Sequence, residues 1–216
     1  MKELYIGIDP SINSTGVTIN IWEDDSLINE VFYIIKGHKL TKKEQKVAED
    51  DDLKSVIYSI YEKIDINDAC DSHELELIKT KNLLNIVNVI SHIITIYSKN
   101  CDMIYVGMEG LSYGSSIRTR SIYELAGLNY LIRNELMTKH VCKLYILPPT
   151  EVKKFATGIG NCSKDAMINV FSSIFPHLLK VPKIDDIADS WFICNYVRDI
   201  VTKNEQSYSQ SLFKQT

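Results

Sequence analysis

The stretch Leu4-Tyr5-Ile6-Gly7-Ile8-Asp9-Pro10 sets the reading of the whole chain. A short apolar run closed by Asp-Pro is the pattern of a buried central strand that ends in a turn. The polar segment Ser11-Ile12-Asn13-Ser14-Thr15-Gly16 follows, with a glycine where the backbone can need positive φ. Residues 17–22 partly alternate and predict a second strand, antiparallel to the first. After the acidic turn Glu23-Asp24-Asp25, residues 27–35 predict a third. Strands joined by turns this short form a meander.

Working outward, residues 72–98 carry apolar side chains at helical spacing behind a plausible N-cap, Ser72. Residues 103–108 repeat the opening pattern, a buried strand followed by an acid, Glu109. A loop rich in glycine, serine and arginine leads to a helix over 120–140, and residues 143–147 form a strand stopped by Pro148-Pro149. Thr150 caps a short helix ending at Gly158 and Gly160; Ser163 caps the next, to Phe175. The last helix covers 184–201, and the polar residues 204–216 are expected to form a flexible tail. Residues 37–72 resist assignment: 53–64 suits helix or strand, and the segment is expected to be an insertion or irregular excursion. The order β-β-β-α-β-α-β-α-α predicts one α/β domain over 1–203. Its mixed sheet is antiparallel on one side and parallel on the other, with helices on both faces.

Bulk properties fit an ordinary globular chain: 216 residues, 45% hydrophobic and 24% charged. The N-terminus enters a strand at once, so no signal peptide is expected. No apolar run is long enough to cross a bilayer; the best, 86–97, is broken by Asn88, Ser91 and His92. The cysteines (Cys70, Cys101, Cys142, Cys162, Cys194) are scattered and none forms C-x-x-C, which predicts reduced thiols in an intracellular protein. A net charge of −4 argues against a generally basic nucleic-acid binder but leaves room for a local patch.

The acids are the informative residues. Asp9 and Glu109 each close a strand, and neighbouring strands would bring both to one sheet edge. In Lys183-Ile184-Asp185-Asp186-Ile187-Ala188-Asp189-Ser190-Trp191, Asp186 and Asp189 share a helix face, which favours Asp186 over Asp185 as the partner of Asp189. Four carboxylates in one pocket would repel unless cations were bound, and oxygen-only clusters suit Mg²⁺ or Mn²⁺. Two such ions about 4 Å apart form a clamp for in-line phosphoryl displacement. No Ser-His-Asp or Cys-His arrangement, H-E-x-x-H or P-loop competes with this.

Four blocks taken in order carry a resemblance. They are Ile6-Gly7-Ile8-Asp9-Pro10-Ser11 through Thr15-Gly16-Val17; Val106-Gly107-Met108-Glu109; Pro149-Thr150-Glu151-Val152-Lys153-Lys154 through Thr157-Gly158-Ile159-Gly160 to Lys164; and Asp185-Asp186-Ile187-Ala188-Asp189-Ser190. Together they resemble the RuvC-like Holliday junction resolvases of the RNase H-like superfamily, with residues 37–72 unmatched. The resemblance implies an RNase H-like sheet and Asp9, Glu109, Asp186 and Asp189 as catalytic metal ligands for two Mg²⁺ ions, Mn²⁺ substituting. It implies a homodimer that nicks opposed strands of a four-way junction to leave 5′-phosphate and 3′-hydroxyl ends, with no membrane and no nucleotide cofactor. It implies DNA contacts at Lys153, Lys154, Lys164, Gly158 and Gly160, and at Tyr113, Arg118 and Arg120 in the loop after Glu109. A divergent sequence of this kind suits a phage or large-DNA-virus branch, acting in a bacterial cytoplasm or a viral replication compartment.

Other readings compete. A nuclease of this fold acting on flaps or other branched DNA shares the same acids. An ATPase of the actin and sugar-kinase type has a similar first loop but needs two domains around its nucleotide. A non-catalytic DNA-binding protein would not need an intact acidic quartet.

Overall fold

A computed structural model describes the backbone of residues 1–111 and 119–213 and the side chains of 1–111 and 122–206. The opening apolar run is β1 (Lys2–Asp9), followed by β2 (Thr15–Glu23) and β3 (Ser26–Lys36) in the expected antiparallel meander. With β4 (Val56–Ile60), β5 (Met103–Glu109) and β6 (Lys143–Leu147) they make one six-stranded sheet in the order β4-β3-β2-β1-β5-β6. The β3/β4, β1/β5 and β5/β6 pairs are parallel. Every strand except β2 therefore runs the same way, and Asp9, Lys36, Ile60, Glu109 and Leu147 all finish at one edge.

Alternation along the strands divides the core. Leu4, Ile6, Ile8, Val106 and Met108 face α2 (Ser72–Ser98) and α3 (Thr119–Lys139), meeting Ile86, Ile90, Ile94, Leu128 and Ile132. Tyr5, Tyr105, Phe32 and Ile34 face the other way, onto α4 (Pro149–Thr157), α5 (Lys164–Ile174) and α6 (Ile184–Phe213). This is the mixed α/β sheet with helices on both faces that the element order predicts.

Residues 37–72 depart from expectation. They hold α1 (Lys42–Ala48), a 3₁₀ turn at Asp51–Leu53 and the edge strand β4. Thr41 caps α1 in a capping box with Glu44, which also pairs with Lys36. Val47, Leu53 and Val56 bury beside Phe32, so the segment is tied into the core rather than looped out. The acidic run is used locally: Asp50 caps the 3₁₀ turn and meets Lys180 Nζ at 2.7 Å. Smaller differences concern helix ends. Asp71, not Ser72, caps α2; α4 starts at Pro149; α6 continues past residue 201 to Phe213. Gly158 ends α4 with φ 79°, the left-handed cap its position predicts.

The last helix lies against the sheet at the closest distance a backbone allows. A Cβ on Gly7 would stand 2.0 Å from the Ser190 carbonyl oxygen, and one on Gly16 would stand 2.1 Å from that of Asp186. Gly16 is the register partner of Asp9 across β1 and β2. The contact therefore fixes where the start of α6 sits relative to the end of β1. Gly7→Ala should cost on the order of 1–3 kcal/mol through overpacking against a backbone that cannot yield. At roughly 2–4 °C per kcal/mol for a chain of this size, a thermal melt reads the loss directly.

Candidate active site

Asp9 and Glu109 follow Gly7 and Gly107 on the same face of β1 and β5, so both carboxylates point toward α6. The β1–β2 turn comes back beneath α6, where the Ser14 hydroxyl donates to Asp186 Oδ2. Ser190, one turn on, meets Thr18 of β2 at 2.9 Å. Behind β5, the Asn129 amide of α3 donates to the Glu109 carbonyl at 3.2 Å and anchors the strand end. Neither Ser14 nor Asn129 stands out in the sequence; Ser14 is one hydroxyl in a polar turn and Asn129 one of several polar residues in an amphipathic helix.

All four carboxylates are held above their ordinary range. Burial raises Asp9 most, followed by the charges of Asp189, Glu109 and Asp186. Burial, then Asp189, lifts Glu109 to about 7. Burial lifts Asp186 to about 6 against the opposing Ser14 hydrogen bond. Asp189 is raised by burial while Lys164 pulls the other way. Asp9 thus answers to the other three acids and Glu109 to Asp189, across three distant chain segments, β1, β5 and α6.

Lys164, at the start of α5, supplies the compensating charge. Its Nζ lies 2.9 Å from Asp185 and 3.4 Å from Asp189. Burial opposes its charged form, but the Asp185 hydrogen bond and the charges of Asp189, Asp185 and Asp9 outweigh that and raise its pKa. Asp185 is correspondingly lowered, the Lys164 bond outweighing burial. Lys153 joins them in a hollow of ≈ 200 Å³ whose polar lining is Glu109, Lys153, Lys164 and Asp189, over Val152, Met167 and Ile193.

The structure thus groups six of the sequence-predicted residues: Asp9, Glu109, Asp186, Asp189, Lys153 and Lys164. Lys154 is exposed on α4, and Gly158 and Gly160 lie in the turn beyond it, Gly160 close against the Thr150 carbonyl. Tyr113, Arg118 and the Arg120 side chain lie outside the described residues.

The donor set suits a hard divalent ion in chemistry: oxygen only, anionic and mutually repelling. Its spacing is looser than a chelate. Among the described residues no three Asp, Glu, His or Cys side chains lie close enough to share one ion. Like-charge repulsion spreads the carboxylates, and the Lys164 ammonium lies against Asp189.

Comparison with known proteins comes from structure alone; no family model and no curated protein sequence matches. Thermus thermophilus RuvC is similar at a TM-score of 0.48 and 14% identity, over 90% of this chain and 91% of that one. The same organism's RuvC in complex with a Holliday junction substrate gives 0.49 and 13%, over 90% of each chain. The yeast mitochondrial Holliday junction resolvase Ydc2 gives 0.46 and 15%, over 88% of this chain and 75% of that one. No helix among the described residues is long and apolar enough to cross a membrane.

The raised carboxylates set a stability profile. With Glu109 at about 7 and Asp186 at about 6, the folded chain holds protons near neutrality that the unfolded chain has released. Stability then falls as pH rises through that window. In EDTA, the urea midpoint should drop between about pH 5 and pH 8. The double variant Glu109→Gln, Asp186→Asn should flatten that drop, and Mg²⁺ should raise the wild-type midpoint more at the higher pH.

Proposed function

We propose that this chain is a metal-dependent endodeoxyribonuclease of the RNase H-like kind. It resolves four-way (Holliday) DNA junctions by paired nicks that leave 5′-phosphate and 3′-hydroxyl ends. One observation carries the reading: Asp9, Glu109, Asp186 and Asp189 gather at a single sheet edge, all raised by burial and Asp9 and Glu109 also by their acidic neighbours, with Lys164 as the one ion-pair partner of the four among the described residues. A structure that needed these acids only for folding would gain from apolar replacements, since buried like charges are costly.

In this reading the four carboxylates hold two Mg²⁺ ions, or Mn²⁺ in their place. Bound ions would lower the pKa of an attacking water and polarise the phosphodiester. The chain does the rest. Ser14 fixes the Asp186 carboxylate by occupying one of its oxygens. Asn129 holds the backbone that presents Glu109. Lys164 balances Asp189 and Asp185 until a phosphate enters, and its ammonium can then turn to the phosphate. Lys153 faces the same hollow and contacts the strand being cut. Lys154 and the backbone N–H groups near Gly158 and Gly160 continue the phosphate track outward along α4. Tyr113, Arg118 and Arg120 extend it at the branch. Two copies related by a two-fold axis match the symmetry of a four-way junction and supply the paired cuts.

The test is cleavage of a synthetic four-way junction with Mg²⁺, run beside a flap and a linear duplex. Selective cutting of the junction is expected, and EDTA should abolish it. Equal cutting of the flap would move the substrate to branched DNA in general. Cleavage that persists in EDTA would overturn the mechanism. Asp189→Asn should remove cleavage while junction affinity, measured in Ca²⁺, stays within about threefold, because the phosphate contacts lie on other residues. Lys154→Ala should instead weaken binding on every sequence and reduce the salt slope by about 1.

A further inference from the structure

The acidic hollow opens on the α6 side of the sheet edge. A larger cavity, ≈ 650 Å³, opens at the same edge on the α2 side. Its floor is apolar: Ile12, Tyr61, Leu83 and Ile86. Its polar lining mixes Asn13, His38, Lys63, Asp65, Lys79 and Glu124. Much of one wall comes from the segment between β3 and α2, the part of the chain left unmatched by any motif above. Asn82 of α2 pins that wall by bonding Ile64 twice, amide to carbonyl at 2.8 Å and backbone N–H to side-chain oxygen at 2.9 Å.

Two features point to an occupant. The first is chemistry. A cavity of this size suits a small-molecule unit. An apolar floor favours a ring, and the polar lining offers cations, carboxylates, amides and an imidazole together. A bare phosphate would want cations only, whereas a nucleobase edge presents donors and acceptors side by side. The second is connection. Ile12 and Asn13 line the cavity, while Ser14, the next residue, bonds Asp186. One short turn is the partition between the cavity and the acidic site.

We infer that this cavity receives an unstacked nucleobase from the branched strand whose phosphate lies at the acidic site. The inference rests on the nuclease reading and adds a base-binding pocket to it. Exposing a base costs least where it is unpaired, as it is when a branch point opens. The pocket therefore contributes to the choice of branched over linear DNA, and seating the base presses on the turn that fixes Asp186.

The experiment is an abasic scan in the full chain. Single abasic nucleotides are placed at each position flanking the branch, and affinity is measured in Ca²⁺. For the wild type, removal of one base should cost about tenfold in affinity, the usual scale for losing one stacked base. Leu83→Trp, which fills the floor, and Lys63→Ala, which strips a charge from the polar lining without touching the core, should each weaken binding to the intact junction. Neither should weaken binding further to the sensitive abasic junction. That non-additivity is the signature of a base in the pocket. If no position is sensitive, or if protein and DNA changes simply add, the pocket assignment is overturned while junction cleavage by the wild type still stands. If the wild type neither binds nor cuts branched DNA, the nuclease reading falls and takes this inference with it.

Discussion

Everything at the proposed site depends on how near the last helix comes to the sheet. The α6 backbone at Asp186 and Ser190 sits where side chains on Gly16 and Gly7 would be. Closer approach is sterically barred, and any β-carbon on those strands would lift the helix away. The contact is also directional. It sets Asp186 above the β1–β2 turn within reach of Ser14, and it sets Asp189 one turn on, toward Glu109 and Lys164. Carboxylates contributed by β1, β5 and α6 thereby become electrostatic neighbours.

That arrangement opposes folding and enables chemistry at once. Burial disfavours each of the four charged carboxyls, and the acidic neighbours of Asp9 and Glu109 add to it there. Lys164 offsets part of this, but it is half exposed and solvent-screened, so its pairs with Asp185 and Asp189 contribute modestly. The large apolar faces on both sides of the sheet carry the cost. Buried carboxylates with raised pKa values, gathered from separate elements, mark a candidate functional site.

Much of this was legible in the sequence because it follows from short-range rules. Alternation and strand-end acids placed Asp9 and Glu109; i, i+3 spacing paired Asp186 with Asp189; turn residues placed the caps at Ser163 and Gly158. What escaped was decided by contacts far along the chain. The segment 37–72 hides a five-residue edge strand because Val56 reads as core only once Phe32 is known to lie beside it. Ser14 gains its role from a partner 172 residues away. Lys164, expected only as a DNA contact, gains its pairing with Asp185 and Asp189 because α5 abuts α6. The continuation of α6 to Phe213 adds polar turns that no apolar stripe announces.

The order of synthesis gives the Ser14–Asp186 bond one more meaning. Asp9 is synthesised well before Asp189. Until α6 emerges and docks, the growing polypeptide carries half a set of acids and no means of closing it. Contacts separated so widely form late and all together, because the intervening chain must be organised first. The full set of four acids is thus withheld from every copy that has not yet docked α6, by connectivity alone.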